Sequence, residues 1–389
     1  MNSNFDKFIL GIDATNIRSG GGVTHLIELL NINQISQFGF SKIIIWGSEK
    51  TLSLIAEKDW IQKEFPFSSY NNFFFRFYWQ TFLLKHSARK CNCDLILVPG
   101  STYLGNFRPF VTISQNMLPF ENKELKRYGF SLMSLKLLIL KLTQSLTFVN
   151  ANGLIFLSEY AQKKICNLLV LNPAKTIIIP HGINNIFHSF PKIQYDLDHY
   201  SINNKFKIIY VSKIDMYKHQ WNVVKALRDL YYDGYPIEVT FIGGSYPSAF
   251  FKFNKEVKKD PNYSNYINYV GELPYDKINT EIRKADLFLF ASTCENLPNI
   301  LLEGMASGLP ILSSKFGPMQ EVLYDSCLYF NPENYIDIKK SILEYILSKE
   351  LRSRCANKTS ILSKNYNWEN SSKETFSYLY NTAKTFYGK

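Results

Sequence analysis

"ADLFLFASTCENLPNILLEGMASG", residues 285 to 308, reads as a strand running straight into a helix. "ADLFLFAST" is an apolar run of strand length, and "NILLEGMASG" has helical spacing and stops at Gly308. Pro298 suits the first helical position, where its missing N–H costs nothing, with Asn296 and Leu297 on the approach. Glu295 then stands at the carboxyl end of the strand. Glu303 follows on the helix, roughly 7.5 Å further along its axis. Two acids beside a helix N-terminus, a place that attracts anions, call for a ligand carrying both negative charge and hydroxyl groups.

The same alternation extends along the chain. Strand candidates in the first half are 8–13, 42–46, 94–99, 110–114, 153–158 and 176–180; in the second half they are 206–212, 237–244, 267–273, 286–292 and 309–314. Each set builds one doubly wound parallel sheet of Rossmann-like type, giving an α/β chain of two domains. The expected division is 1–185, a linker at 186–205 where the sequence is polar and lacks helical period, 206–370, and an amphipathic helix over 371–389 that crosses back to pack on the first domain. The linker implies a cleft, and ligands of such sheets bind beyond the strand carboxyl ends.

Composition narrows the function. With 389 residues, 46% hydrophobic and 20% charged, the chain is long enough for two cores. The six cysteines lack paired metal spacing and read as reduced thiols, and no leader is expected at the start, so the expected location is cytoplasmic. Residues 130–149 are apolar but interrupted by Lys136 and Lys141, so no spanning helix is expected. The net charge is +11, and residues 1–185 hold 19 Lys and Arg against 11 Asp and Glu. No nucleic-acid motif accompanies this charge, which points instead to an anionic membrane face or a phosphate-bearing substrate. Segments 70–90 and 121–141 mix aromatic or leucine-rich faces with basic residues and are the candidates for peripheral contact at the inner face of the cell membrane.

Further motifs fall at strand ends. Gly20, Gly21 and Gly22 precede a helical pattern and would let backbone N–H groups approach a diphosphate. Lys213 and Lys218 follow a strand and would neutralise a diphosphate without a metal. Gln115 and Asn116 follow the strand at 110–114, where their amides would bond sugar hydroxyls or simply cap backbone. "DLD" at 196–198 is formally a metal-transferase pattern but lies in the expected linker rather than at a strand end. Cys294 lacks a nearby histidine and reads as packed rather than nucleophilic.

Together these residues resemble glycosyltransferase family 4, retaining enzymes of the GT-B fold, over nearly the whole chain. The match is carried by Glu295 and Glu303 with seven residues between them, by "GMASGLPIL" at 304–312, by "FGPMQEVL" at 316–323, and by Lys213 and Lys218. The family's usual His-Asp pair is replaced here by Gln115 and Asn116. The resemblance implies a nucleotide-diphosphate sugar as donor, no metal or other cofactor, and a glycan acceptor, lipid-linked, in O-antigen-like surface polysaccharide synthesis. It assigns Glu303 to the ribose, Glu295 with Asn296, Leu297 and Pro298 to the transferred hexose, and Lys213 and Lys218 with Gly21 and Gly22 to the diphosphate. Glu295, Lys213 and Lys218 are the expected catalytic set. A GT-B epimerase or phosphorylase, or a non-enzymatic basic adaptor, are the competing classes.

Overall fold

The structure is a computed structural model and describes residues 7–18, 20–66 and 73–388. The chain divides into two compact units, one of residues 1–120, 130–182 and 367–389, the other of residues 121–129 and 183–366. Tyr70, Asn71 and Asn72, which begin the first candidate membrane segment, lie outside the described residues, as does Ser19 beside the glycine triplet.

The first unit holds a seven-stranded parallel sheet. Its strands are β1 (Phe8–Asp13), β2 (Phe40–Trp46), β3 (Ile61–Glu64), β4 (Leu95–Val98), β5 (Phe110–Ile113), β6 (Gly153–Phe156) and β7 (Thr176–Ile178), in the order β3-β2-β1-β4-β5-β6-β7. Central strands of such a sheet are covered on both faces and read as continuous apolar runs; all four residues of β4, β5 and β6 are buried. Gly11 in β1 leaves room for the Trp46 indole, which an added Cβ would approach to 2.8 Å. Trp46, Trp79, Tyr103, Phe107 and Phe110 form the aromatic part of one core cluster on this sheet. The final helix starts at Trp368, three residues before the expected 371, and runs to Tyr387. It belongs to this unit: Phe376 stacks on Phe38 at 5.5 Å, Tyr380 meets Phe8 at 5.6 Å, and the Tyr378 hydroxyl donates to the Lys175 carbonyl at 2.6 Å.

The second unit holds six parallel strands, β8 (Phe206–Val211), β9 (Ile237–Ile242), β10 (Ile267–Gly271), β11 (Leu287–Phe290), β12 (Ile311–Ser314) and β13 (Leu328–Phe330), in the order β10-β9-β8-β11-β12-β13. Strand order reverses between β8 and β11, whose registers pair Leu287 with Ile208 and Phe288 with Ile209. The helix Asn299–Ala306 follows β11 and buries Leu301, Leu302, Glu303, Met305 and Ala306. Gly304 permits its close approach, since a Cβ there would meet the Phe288 ring at 2.9 Å.

Two expectations are corrected here. Residues 186–205 are not a free linker but part of the second unit. The fully buried Arg352 donates to Gln194 Oε1 at 3.0 Å and to the Tyr195 carbonyl, Lys192 pairs with Asp286 at 2.9 Å, and the Ser189 N–H donates to the Ala306 carbonyl at 2.9 Å. The polar character of this stretch serves those bonds. The first domain, expected over 1–185, likewise gives up part of segment 121–141. A helix over Asn122–Lys126 stops before Gly129, which takes φ +57, and a separate helix covers Leu132–Asn150. Residues 121–129 belong to the second unit, where Glu333 accepts from Lys123 at 2.5 Å and from Arg127. Those two cations hold the Glu333 carboxyl at about 2 against burial.

Candidate active site

At the β8–β11 reversal, two loops from the strand ends meet. Lys213 follows β8 after Ser212, and its half-exposed ammonium lies 3.8 Å from the buried Asp215 carboxylate. The chain then turns through Tyr217, Lys218 and His219 into the helix Gln220–Tyr232, with His219 at φ +52 as the cap residue. Across from it, the Thr293 N–H donates to the Tyr217 carbonyl at 2.9 Å, and Thr293 Oγ1 lies 3.1 Å from His219 Nε2. These contacts lock the two loops together. They set Lys218 against Glu295: the ammonium pairs with Glu295 Oε1 and sits 4.9 Å from the centre of the Phe290 ring and 5.1 Å from that of Tyr217. Both side chains are nearly buried, so each neutralises a charge that would otherwise be costly there.

Glu303 has a different environment. It is 6% exposed, and the Tyr275 hydroxyl donates to its Oε1 at 2.7 Å. Burial pushes its carboxyl up to about 7, against the lowering effect of the phenol. Pro298 caps the helix instead of occupying its first position, one residue from expectation. The first helical N–H bond runs from Leu301 to the Pro298 carbonyl at 3.0 Å, which leaves the N–H groups of Asn299 and Ile300 directed out of the helix end. Pro298 has no N–H to offer, so any backbone donation to a sugar falls to Asn296 and Leu297.

The structure thus brings Lys213, Lys218, Glu295, Asn296, Leu297, Pro298 and Glu303 into one unit, on the loops and helix around one strand reversal. Gly21 and Gly22 belong to the other unit. There Gly20, at φ +66, caps the helix Gly21–Leu30, and a Cβ on Gly22 would lie 3.5 Å from Gln115 Oε1. The two expected amides separate in role. Gln115 Nε2 lies 3.1 Å from His25 Nδ1, whereas Asn116 Oδ1 accepts from the Leu118 N–H at 3.0 Å and so closes its own turn. His25 in turn meets His181 edge-on at 4.8 Å and stacks on Trp368 at 5.7 Å. Burial pushes His25 down to about 4 and His181 well below its usual value, with His25 adding to the latter.

Several residues of the site escaped the sequence reading. Tyr275 opens the helix Tyr275–Lys284 on the far side of β11 in sequence, and nothing local marks it as the partner of Glu303. Asp215 accepts from the Tyr128 hydroxyl at 2.7 Å and from the Met216 N–H at 2.8 Å. Gly243, at φ +140, brings its backbone so close to Ser212 that a Cβ would lie 2.4 Å from the carbonyl oxygen; the glycine pair ending β9 was the available signal. Asp196 of the "DLD" stretch pairs with Lys349 at 3.0 Å. Among the described residues no three His, Cys, Asp or Glu side chains gather as a metal site.

Fold and site together define a two-unit α/β protein with a charged strand-end site on its second sheet. Residues 196–360, which contain that site, match the family model described as Glycosyl transferases group 1. The chain is 32% identical over 194 residues to the protein CapJ of Staphylococcus aureus, a match covering 49% of this chain and 46% of CapJ. It therefore spans less than half the length of that relative. Among solved structures, the sucrose-phosphate synthase of Thermosynechococcus elongatus superposes with a TM-score of 0.74 at 15% identity, and Anabaena HepE in complex with UDP with 0.67 at 15%. Each covers 98% of this chain and 100% of its own, and both show that the fold is shared.

Proposed function

We propose that the chain is a retaining glycosyltransferase of family 4 that moves a hexose from a nucleotide-diphosphate sugar to a glycan acceptor. The observation that carries this reading is the meeting of Lys218 with Glu295 at the β8–β11 reversal, beside the exposed Lys213 and the open end of the helix that holds Glu303. Strand-order reversals are where sheets of this kind take nucleotides. The UDP named in the HepE complex fits the same chemistry.

In this scheme Lys213, Lys218 and the N–H groups at the helix end hold the diphosphate. An ammonium has three N–H donors, so Lys218 can keep Glu295 while donating to phosphate. Glu303 accepts from the ribose hydroxyls, and Glu295 accepts from the hexose. As the bond from the anomeric carbon to the phosphate oxygen breaks, the cations stabilise the charge that gathers on the leaving group without a metal. The acceptor oxygen bonds to the same face of that carbon, and its proton passes to the departing phosphate oxygen. The acceptor is a lipid-linked saccharide of surface polysaccharide, O-antigen-like, met at the cytoplasmic face of the membrane.

The test is incubation with a panel of labelled nucleotide sugars and lipid-linked acceptors, with and without EDTA. The account expects transfer with retained anomeric configuration, undiminished by EDTA. Release of sugar without acceptor would favour the epimerase class, and rescue of an EDTA-silenced enzyme by a divalent cation would reject the metal-free scheme.

A further inference from the structure

The helix Leu132–Asn150 is built inside out. Its buried residues are Leu137, Gln144, Thr147 and Phe148, so two polar side chains face the protein. Thr147 Oγ1 accepts from the Tyr103 N–H at 2.8 Å and lies 3.1 Å from the Tyr103 carbonyl, which fixes the helix side-on to the first unit. The outer face carries Leu132, Leu135, Ile139, Leu142, Leu146 and Val149, all exposed, with Leu132 at 86%. At 3.6 residues per turn these six fall in a sector roughly 100° wide, opposite the buried one. Soluble helices place their apolar stripe inward, and an apolar stripe of this length left outward marks a binding surface.

We propose that this face is a membrane-docking surface, lying flat in the headgroup region of an anionic bilayer. The charge of the helix selects the occupant. Lys136 and Lys141 flank the exposed sector on either side, and the nineteen residues contain no Asp or Glu. The whole first unit holds 19 Lys and Arg against 11 Asp and Glu. A second copy packed along the 3-4 spacing of the stripe would set lysine against lysine with no acid to answer it, whereas anionic lipid supplies the opposite charge. By length and composition the helix could cross a membrane, contrary to the sequence expectation. Its bonds to Tyr103 and its buried Gln144 instead hold one side on the protein, so it lies on the bilayer with its lysines reaching the headgroups. At its C-terminal end Val149 joins Leu169, Val170 and Lys175 in lining a cavity of about 150 Å³, and Val170 is 90% exposed, which continues the apolar surface.

This inference deepens the lipid-linked acceptor of the proposed function and rests on it only there, because docking needs neither donor nor acceptor. The test is flotation of the whole chain with phosphatidylcholine vesicles, with and without phosphatidylglycerol. Wild type is expected to float with the anionic vesicles and to do so less at high salt. The double variant Leu135→Glu/Leu142→Glu is expected to lose binding by at least about tenfold, and Lys136→Glu to lose several-fold. A tryptophan introduced as Leu142→Trp should blue-shift on binding and be quenched by lipids brominated near the headgroup, a readout independent of the charged variants. Failure to float, or equal flotation of the double variant, overturns the proposal. So does a dimer in solution that Leu135→Glu dissociates without any vesicle binding, and so does quenching from the bilayer centre. Flotation without glycosyl transfer would leave the docking surface standing and reject the enzymatic reading alone.

Discussion

The ammonium of Lys218 and the carboxylate of Glu295, 77 residues apart in sequence, form an ion pair between the loops that follow β8 and β11. Each is nearly buried, so removing one partner strands the other. Lys218→Met is expected to lower stability by about 3 kcal/mol, and Lys218→Met/Glu295→Gln to recover part of that loss. Urea unfolding of the two single variants and the double variant measures the coupling; strictly additive losses would show that the pair does not act as a unit.

Glu303 gives the second unit a pH signature. Its carboxyl is raised in the fold to about 7 from an ordinary 4.5, so between those values the folded state holds a proton that the unfolded chain has released. Its contribution is therefore most favourable below about 4.5 and is lost as pH rises through about 7. Glu303→Gln removes this dependence, and comparing unfolding curves at pH 5 and pH 8 checks it. Ribose hydroxyls donate better to a carboxylate than to an acid, so nucleotide affinity should tighten as pH passes 7 in wild type and stay flat in Glu303→Gln.

The first unit carries the opposite slope. His25 is held neutral down to about 4, and the buried His181 is held neutral beside it. Their depressed values mean that stability is complete above about 6.5 and falls as the pH drops toward 4, with His25 alone worth roughly 3 kcal/mol. His25→Gln should lose stability at neutral pH, through the lost ring contacts with His181 and Trp368, but should show a shallower acid limb. Unfolding of wild type and variant between pH 4 and 7 reads the slope, and parallel curves would reject the assignment.

Cys294 next to Glu295 is buried, and burial raises its thiol well above the ordinary range, with Glu295 adding to the effect. A thiol so placed is a poor nucleophile. Cys294→Ala should keep turnover within about threefold of wild type, and the folded protein should resist iodoacetamide at this position, as peptide mapping would show. Rapid alkylation with loss of activity would make the cysteine a participant.

What was legible in the sequence follows from burial. The eleven apolar runs all became strands: nine are internal strands covered on both faces, which must be continuously apolar, and two, β7 and β10, are sheet edges that keep enough apolar residues to be read. The two strands missed, β3 with "IQKE" and β13 with "LYF", are sheet edges, half exposed and short. The site residues with local signals, Lys218 before a helix and Glu295 with Glu303 around Pro298, were readable from spacing. Tyr275 as the partner of Glu303, and Thr293 as the residue that locks Tyr217 and His219, were not, because contacts across strands leave no trace in local pattern. The helix Leu132–Asn150 was legible only in part: Lys136 and Lys141 spoke against a spanning helix and for peripheral contact, but which face is exposed depends on where Thr147 and Gln144 dock.

The central claim is that the second unit divides a nucleotide sugar between two glutamates, Glu303 on the ribose and Glu295 on the hexose. Ribose contacts persist unchanged through the reaction, so their loss weakens binding in ground and transition state alike. Calorimetric titration of UDP and the other nucleoside diphosphates into wild type, Glu303→Gln and Glu295→Gln tests this division directly. For the nucleotide that binds wild type, the account predicts a loss of about tenfold to a hundredfold in Glu303→Gln, equivalent to roughly 1.5–3 kcal/mol, and near-unchanged affinity in Glu295→Gln. Equal loss in both variants, or no nucleotide binding by the folded wild-type chain, would contradict it.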